Sequence, residues 1–201
     1  MFHVKHEGWE AATALGVHLG SAVEERLERY EHLLLEKAIP RGMIGPSDAP
    51  RLRERHILDS IRAAPLLPPA GTVCDLGSGA GLPGIALAIV RPDLRWVLVE
   101  VRRTRAAFLE EASVGLDNVS VYARHLETIG EQAAACTARA FATAPRSWEA
   151  ARRVLEHDGY LIYWAGASFD AATDVPAGVS ARLFPSHGLA RAGALVIMAR
   201  Q

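Results

Sequence analysis

The feature that most constrains this chain is a glycine-rich turn, Asp75-Leu-Gly-Ser-Gly-Ala-Gly-Leu-Pro-Gly84, between a short apolar run and a helical segment. Glycine lets the backbone turn sharply and come close to a ligand, because a Cβ there would collide with it. A strand that enters such a turn and a helix that leaves it are typical of a nucleotide-binding α/β domain. The turn therefore predicts both the fold class and the place of a ligand.

From Thr72 onward, short apolar runs alternate with helical segments, which is the pattern of a parallel sheet covered by helices on both faces. The predicted strands are Thr72–Leu76, Leu94–Glu100, Val119–Tyr122, Cys136–Ala140, Tyr160–Trp164, Ser180–Phe184 and Ala194–Met198. The predicted helices between them are Pro83–Val90, Arg103–Ser113 and Ser147–Leu155. We predict an α/β fold with a seven-stranded, mostly parallel sheet and helices on both faces.

The segment before the sheet is predicted to be helical. Ser21-Ala-Val-Glu24 has the spacing of a capping box, and apolar residues that include Tyr30 then recur at helical spacing. A second helix is predicted from about Arg51 to Ala64, before a proline-rich break. We expect residues 1–70 to form a helical extension packed on a core of residues 71–201.

Two residues decide which ligand the turn favours. Gly79-Ala-Gly81-Leu-Pro-Gly84 matches the dinucleotide pattern G-x-G-x-x-G, so a nicotinamide or flavin enzyme is one alternative. Asp75 stands where its carboxylate could meet the ammonium group or bound waters of S-adenosylmethionine, and Pro83 removes an N–H that would help to bind a pyrophosphate. Glu100 ends the second strand, where an acid accepts ribose hydroxyls in either class. S-adenosylmethionine is therefore the predicted cofactor.

Composition limits the partners. A formal net charge of −1 predicts no global attraction to nucleic acid or to an anionic membrane, so an RNA contact would depend on local arginines. No apolar run is long enough to span a bilayer, and Cys74 and Cys136 lie in apolar stretches as inert core residues. His3 and His6 have no third ligand nearby, so no metal is expected. These features predict a soluble, cytoplasmic protein.

Three motifs, taken in order, resemble those of one family. They are Arg55-His-Ile-Leu-Asp-Ser60, the turn Asp75–Gly84 with Arg91-Pro92 after it, and Arg139-Ala-Phe-Ala142. Together they resemble the bacterial small-subunit ribosomal RNA guanine-N7 methyltransferases, also called glucose-inhibited division protein B. The resemblance implies a Rossmann-like class I methyltransferase fold, S-adenosylmethionine as cofactor, and 16S rRNA or the 30S particle as substrate.

The resemblance also implies roles for individual residues. Cofactor contacts are expected from the turn and from four later positions: Asp75, Gly77, Ser78, Gly79, Leu82, Glu100, Leu126, Glu127 and Arg139. Glu100 would hold the ribose, Leu126 and Glu127 would lie beside the adenine, and Arg139 would face cofactor and substrate. The chain departs from the family at Ala165, where a lysine is usual, and at His125, where an arginine is usual.

The expected reaction needs little acid–base chemistry. Guanine N7 carries a free lone pair, so no base has to remove a proton, and correct orientation of the reactants alone supplies about 7–11 kcal/mol. Arg139 is the predicted catalytic residue, positioning the cofactor and the substrate and donating to guanine O6.

The RNA side is expected to use the second predicted helix and the start of the helix after Glu100. Basic groups suited to RNA phosphates or to the cleft border are Arg51, Arg53, Arg55, His56, Arg102, Arg103 and Arg105. Arg55 and Asp59 are four residues apart and His56 is three from Asp59, so the three are expected to share a helix face beside the active cleft.

Three alternatives stay open at this point. The acceptor could be a small molecule or a protein, since the turn reports only the methyl donor. The chain could be a nicotinamide-dependent oxidoreductase, or a non-catalytic RNA-binding relative, which Ala165 in place of lysine makes plausible. We expect a monomer.

Overall fold

A computed structural model describes residues 9–125, 130, 132–186, 189 and 192–201. Its centre is a seven-stranded sheet with the strand order β3-β2-β1-β4-β5-β7-β6. The strands are β1 Thr72–Leu76, β2 Arg95–Val99, β3 Val119–Tyr122, β4 Ala133–Ala138, β5 Leu155–Trp164, β6 Val179–Phe184 and β7 Leu195–Arg200. The predicted seven-stranded sheet is confirmed, and the first and third strands have the predicted bounds.

Strand direction explains where a ligand can enter. Strands β1 to β5 pair in parallel, and β7 runs antiparallel between β5 and β6. The chain order reverses between β1 and β4, so the connections after these two strands leave in opposite directions. In open α/β sheets such a reversal leaves a crevice at the carboxyl ends of the strands, where ligands bind.

Helices cover both faces of the sheet. They are α1 Glu10–Ala14, α2 Ser21–Leu33, α3 Asp59–Ile61, α4 Gly84–Val90, α5 Arg103–Ala112, α6 Ala144–Ala151 and α7 Ala171–Asp174. Successive residues of a strand point to opposite faces. Accordingly, Trp96 and Leu98 of β2 join the core that contains α2, α4 and α5, whereas Val97 and Val99 join the core that contains Trp148 of α6.

The N-terminal helices differ from the prediction in two respects. Helix α2 begins at Ser21 with Gly20 as its N-cap and no side-chain cap, so the predicted capping box is wrong: Ser21 is already inside the helix. The predicted single helix at 51–64 is a series of short segments, 3₁₀-helical at Pro46–Arg51, π-helical at Arg53–Leu58, and then α3. Proline explains part of this, because Pro50 cannot donate the hydrogen bond that a continuous helix requires.

Side-chain hydrogen bonds join these helices to the sheet. Tyr160 of β5 donates to the carbonyl of Leu66 at 2.7 Å, and Trp164 of the same strand donates to the carbonyl of Asp59 at 3.0 Å. Arg62 donates to the carbonyl of Gly193 at 2.8 Å. The division of the chain at residue 70 stays a prediction, while these bonds show how the helices before it are attached.

The two cysteines lie side by side in the core. Cys74 of β1 and Cys136 of β4 are partners in the parallel register, and both are buried free thiols. Their burial agrees with the core role expected from the sequence. None of the described helices is long and apolar enough to cross a bilayer.

Candidate functional site

A cleft of about 280 Å³ opens at the carboxyl ends of β1 and β2 and is bounded on its other side by α6. Its floor and walls combine apolar, acidic and basic side chains with one bare glycine. The residues that line it are Leu76, Gly77, Val99, Glu100, Val101, His125, Phe141, Arg146, Glu149, Ala150 and Arg153. The cleft therefore lies where strand order alone places a ligand crevice.

The glycine-rich turn has a backbone that only glycine adopts easily. Gly77, Gly79 and Gly81 have φ angles of 66°, 58° and 87°. A Cβ on Gly77 would lie 2.6 Å from Cδ2 of Phe141, and one on Gly81 would lie 2.8 Å from the hydroxyl of Tyr30. Both the conformation and the close packing thus exclude larger residues.

Two other residues of the turn, Ser78 and Leu82, make contacts within the protein. Ser78 is buried, its N–H donates to the carbonyl of Val99 at 3.0 Å, and its hydroxyl donates to the carbonyl of Asp75 at 3.0 Å. Leu82 is half-buried and packs on the core. They hold the shape of the turn, and contacts of either residue to a cofactor stay a prediction.

Asp75 lies beneath the turn and not in the cleft. It is fully buried, and its Oδ1 accepts a hydrogen bond of 2.6 Å from Thr137 of β4. Its Oδ2 has no hydrogen-bond partner among the described residues, and a Cβ on Gly84 would lie 2.6 Å from it. Burial raises the pKa of Asp75 to about 6, opposed by the bond from Thr137. The expected direct contact with the ammonium group or waters of the cofactor is not supported, because no face of this carboxylate reaches the cleft.

Glu100 faces the cleft and also fastens the turn. It is 4% exposed, and its Oε2 accepts a hydrogen bond of 3.1 Å from the N–H of Gly79. Its Oε1 accepts from the N–H of Arg102 at 2.8 Å, and Arg105 approaches to 4.0 Å. The carboxylate is therefore held in one orientation at the exit of β2, where the sequence placed a ribose acceptor.

Phe141 is a cleft residue that sequence reasoning missed. It is 41% exposed, packs over Gly77 and lines the same cleft as Glu100. Ala140, immediately before it, has φ 52°, a left-handed conformation that non-glycine residues adopt at a cost. The sequence shows the phenylalanine, but it does not show the strained backbone at Ala140 before it. Phe141 could therefore be identified as a cleft residue only from the structure.

Arg139, just after β4, is bonded into the N-terminal helices. Its Nη1 donates to the carbonyl of His56 and to the hydroxyl of Ser60, both at 3.2 Å. Its Nη2 donates to the carbonyl of Arg55 at 2.9 Å and lies 3.0 Å from Nδ1 of His56. Its Nε lies 3.5 Å from Asp59. All five N–H groups of the guanidinium are thus directed at the protein, which does not support the expected donation to guanine O6.

Arg55, His56 and Asp59, which were expected to share a helix face, are each paired with an oppositely charged or acidic neighbour. Arg55 pairs with Asp48 at 2.5 Å, and His56 also contacts Asp48 at 2.9 Å. Asp59 pairs with Arg62 at 2.8 Å. Arg55 thus pairs with Asp48 of the 3₁₀ segment before the cluster, and its place beside the active cleft stays a prediction.

The remaining basic candidates divide by exposure. Arg51 is paired with Glu54 at 3.1 Å, and Arg53 is held between Glu31 at 2.5 Å and the ring of Trp9 at 4.3 Å. Arg102 and Arg103 are exposed at the start of α5, beside the cleft, with half-buried Arg105 behind them. RNA contacts by these residues stay a prediction, as do those of Arg55 and His56. Leu126 and Glu127 lie outside the described residues.

Comparison with known proteins shows which family the sequence matches. The profile of the family described as GidB, rRNA small subunit methyltransferase G, matches residues 23–174. Proteins named ribosomal RNA small subunit methyltransferase G from Acidothermus cellulolyticus and Clavibacter sepedonicus are 44% and 39% identical, over 69% and 79% of this chain and 64% and 74% of their own lengths. For the first three curated relatives the alignment spans 58–64% of the relative, so the chain matches about three fifths of their length.

Solved structures show the same fold. A putative S-adenosyl-L-methionine-dependent methyltransferase from Methanococcus maripaludis is similar with a TM-score of 0.55 at 13% identity, covering 86% of this chain and 93% of its own. A ribosomal protein L11 methylase from Lactobacillus delbrueckii is similar with a TM-score of 0.54 at 14% identity, covering 73% and 79%. The fold is therefore the Rossmann-like fold of class I methyltransferases, as predicted.

Proposed function

Because the chain belongs to the GidB family of small-subunit rRNA methyltransferases, we propose that it transfers a methyl group from S-adenosylmethionine to N7 of a guanine in 16S rRNA. The observation that carries the proposal is the left-handed glycine turn fastened to Glu100 at the rim of the cleft. The nicotinamide alternative fits neither this family nor the helix start at Pro83.

The residues of the cleft fit S-adenosylmethionine. Gly77 brings the main chain to the cleft with the Phe141 ring packed against its Cα, and Glu100 offers carboxylate oxygens to ribose hydroxyls. Leu82 and Ser78 shape the turn, and Asp75 supports it from below. Leu126 and Glu127 are assigned to the adenine by the family resemblance alone. When bound, the cofactor supplies an electrophilic methyl group on a sulfonium.

The described side chains of the cleft have a positioning task. Guanine N7 attacks with a lone pair that is already free, so the protein need only exclude water and hold the two reactants in line, worth about 7–11 kcal/mol. Phe141 and Val101, 41% and 51% exposed, give the cleft apolar walls that displace water. Two backbone N–H groups hold the Glu100 carboxylate in place beside them.

Arg139 has a different task from the one expected. Since its N–H groups are directed at residues 55–60, we assign it the role of fixing these residues against the exit of β4, and through them the RNA side of the site. Arg102, Arg103 and Arg105 at the start of α5, together with Arg51 and Arg55 before the sheet, are the proposed contacts to rRNA phosphates.

The deciding experiment is transfer of labelled methyl to 30S particles and to protein-free 16S rRNA, with the product nucleoside identified. We expect 7-methylguanosine in the wild type and none in Gly77→Val. Label in protein or in a small molecule, with none in RNA, would replace this proposal by one of the other acceptors. Tight cofactor binding without any transfer would favour the non-catalytic relative. We place the reaction in the cytoplasm and expect a monomer to perform it.

A further inference from the structure

His56 lies between an acid and the arginine that leaves β4. Its Nε2 is 2.9 Å from Oδ2 of Asp48, and its Nδ1 is 3.0 Å from Nη2 of Arg139. The imidazole is 16% exposed, as is Asp48, so water screens these contacts only weakly. Asp48, His56 and Arg139 therefore form a chain from the 3₁₀ segment to the sheet, which we call the latch.

The latch allows one protonation state of the ring. A guanidinium has donors and no acceptor, so Nδ1 of His56 must carry a lone pair toward Arg139. The ring proton must then be on Nε2, where it is donated to Asp48. In general the tautomer of a histidine is set by the hydrogen bonds of its two nitrogens, and here both of them select the same neutral form.

The charges around the ring oppose a second proton. Arg139 faces it from the exit of β4, Arg55 lies beside it on its own segment, and Asp48 faces it from the preceding segment. Asp59 and Arg62 lie behind Arg139, with Tyr30 of α2 also near it. Burial, and then Arg139, lower the pKa of His56 below its usual range. The imidazole is therefore neutral at pH 7.

We infer that His56 is a positioning residue for methyl transfer, acting by holding Arg139, and that a proton on its Nδ1 releases the latch. This inference rests on the proposed function. A proton taken from solvent by Nδ1 removes the acceptor that faces Nη2 and places two cations against each other. Arg139 keeps its bonds to Arg55, Ser60 and Asp59, so the residues before the sheet shift without detaching.

Two variants separate the two nitrogens. His56→Asn places a carbonyl oxygen near the position of Nδ1, which accepts from Arg139 and does not titrate. His56→Gln keeps an amide N–H directed at Asp48 and offers Arg139 no matched acceptor. Methyl transfer to 30S particles is measured for both from about pH 5.5 to pH 8, around the ordinary pKa of histidine, with kcat and KM separated and S-adenosylhomocysteine affinity measured by calorimetry.

Wild-type transfer should fall about tenfold as the pH drops below about 6.5, which is the size of effect expected for one charge-assisted hydrogen bond. The rate of methyl transfer by His56→Asn should change little over that pH range. His56→Gln should transfer methyl about tenfold more slowly at every pH. Both variants should bind S-adenosylhomocysteine as tightly as the wild type does. If methyl transfer by His56→Asn also falls as the pH drops, the inference is wrong. Transfer is compared at saturating S-adenosylmethionine, so that any change in cofactor affinity caused by protonation of Asp75, whose pKa is about 6, does not enter the comparison.

A measurement without turnover tests the same contact. Nitrogen-15 spectra of the wild-type imidazole should show a protonated Nε2 and a bare Nδ1, with a titration midpoint below that of an exposed histidine. A proton on Nδ1 at pH 7, or an ordinary midpoint, would reject the latch even if the variants fail to fold. If the wild type transfers no methyl at any pH, the proposed function fails, and the spectra still decide the inference about His56.

Discussion

The glycine turn and the exit of β4 bound the same region, but they are built in different ways. The turn is largely local: its glycines are left-handed and Ser78 bonds to Asp75, although Glu100 and Tyr30 also hold it from 21 and 50 residues away. The exit of β4 is assembled from a distance, since Arg139 donates to the carbonyl of Arg55, 84 residues earlier. The comparison teaches that the cofactor side is encoded in a motif, whereas the RNA side depends on how the N-terminal helices dock.

Gly77→Val should have the largest effect and would test the local half of the comparison. A valine adds strain at φ 66° and a Cβ 2.6 Å from Phe141, so S-adenosylhomocysteine binding should be lost in calorimetry. Gly115→Val is the matched control, because Gly115 has φ 81° and nothing within 4 Å of a Cβ. It should lose about 1–2 kcal/mol of stability and keep binding. Wild-type affinity in Gly77→Val would reject the turn as the site.

Arg139→Ala tests the distant half. It removes the donor to the carbonyls of Arg55 and His56 and the cation beside Asp59, so we expect a loss of about 1–3 kcal/mol in urea unfolding and a fall of roughly a hundredfold in methyl transfer. Cofactor affinity should change little. Arg200→Ala is the control, since Arg200 also donates to three backbone carbonyls, away from the cleft. If Arg139→Ala transfers methyl normally, the arginine has no role in the reaction.

Phe141→Ala sharpens the boundary between the two halves. The ring follows Arg139 in sequence but packs on Gly77 and lines the cleft with Glu100, so we assign it to the cofactor side. Its removal should weaken S-adenosylhomocysteine binding about tenfold, as expected for a lost ring contact. Leu183→Ala, at another exposed apolar residue outside the cleft, should change nothing. If cofactor affinity is unchanged and methyl transfer is slower, Phe141 acts on the RNA side of the site and not on the cofactor side.

Tyr30→Phe should have the smallest effect and tests whether the two halves communicate. The buried hydroxyl donates to the carbonyl of Ala80 at 2.7 Å, so its loss should cost about 1–3 kcal/mol in thermal or urea unfolding. Cofactor affinity should fall only severalfold, because the glycine conformation remains. A stability equal to that of the wild type would show that water replaces the hydroxyl.

The same contrast explains how far the sequence could be interpreted. Thr72–Leu76, the turn and α4 were predictable, because apolar periodicity and glycine position report local structure. The pairing of Arg55 was not, since four-residue spacing favoured Asp59 while the folded chain brings in Asp48. Tyr30 was predicted only as part of an apolar helix face. Its hydroxyl partner, Ala80, lies 50 residues away and has no signature in the sequence.

The bond between Tyr30 and Ala80 joins helix α2 to the main chain that would surround the ligand. Two events that share a contact are thermodynamically coupled, and the coupling is reciprocal. Occupancy of the cleft should therefore protect the residues of helix α2 from limited proteolysis. By the same linkage, whatever loosens those residues, an encounter with a ribosomal particle included, should weaken retention of the spent nucleoside and assist its release.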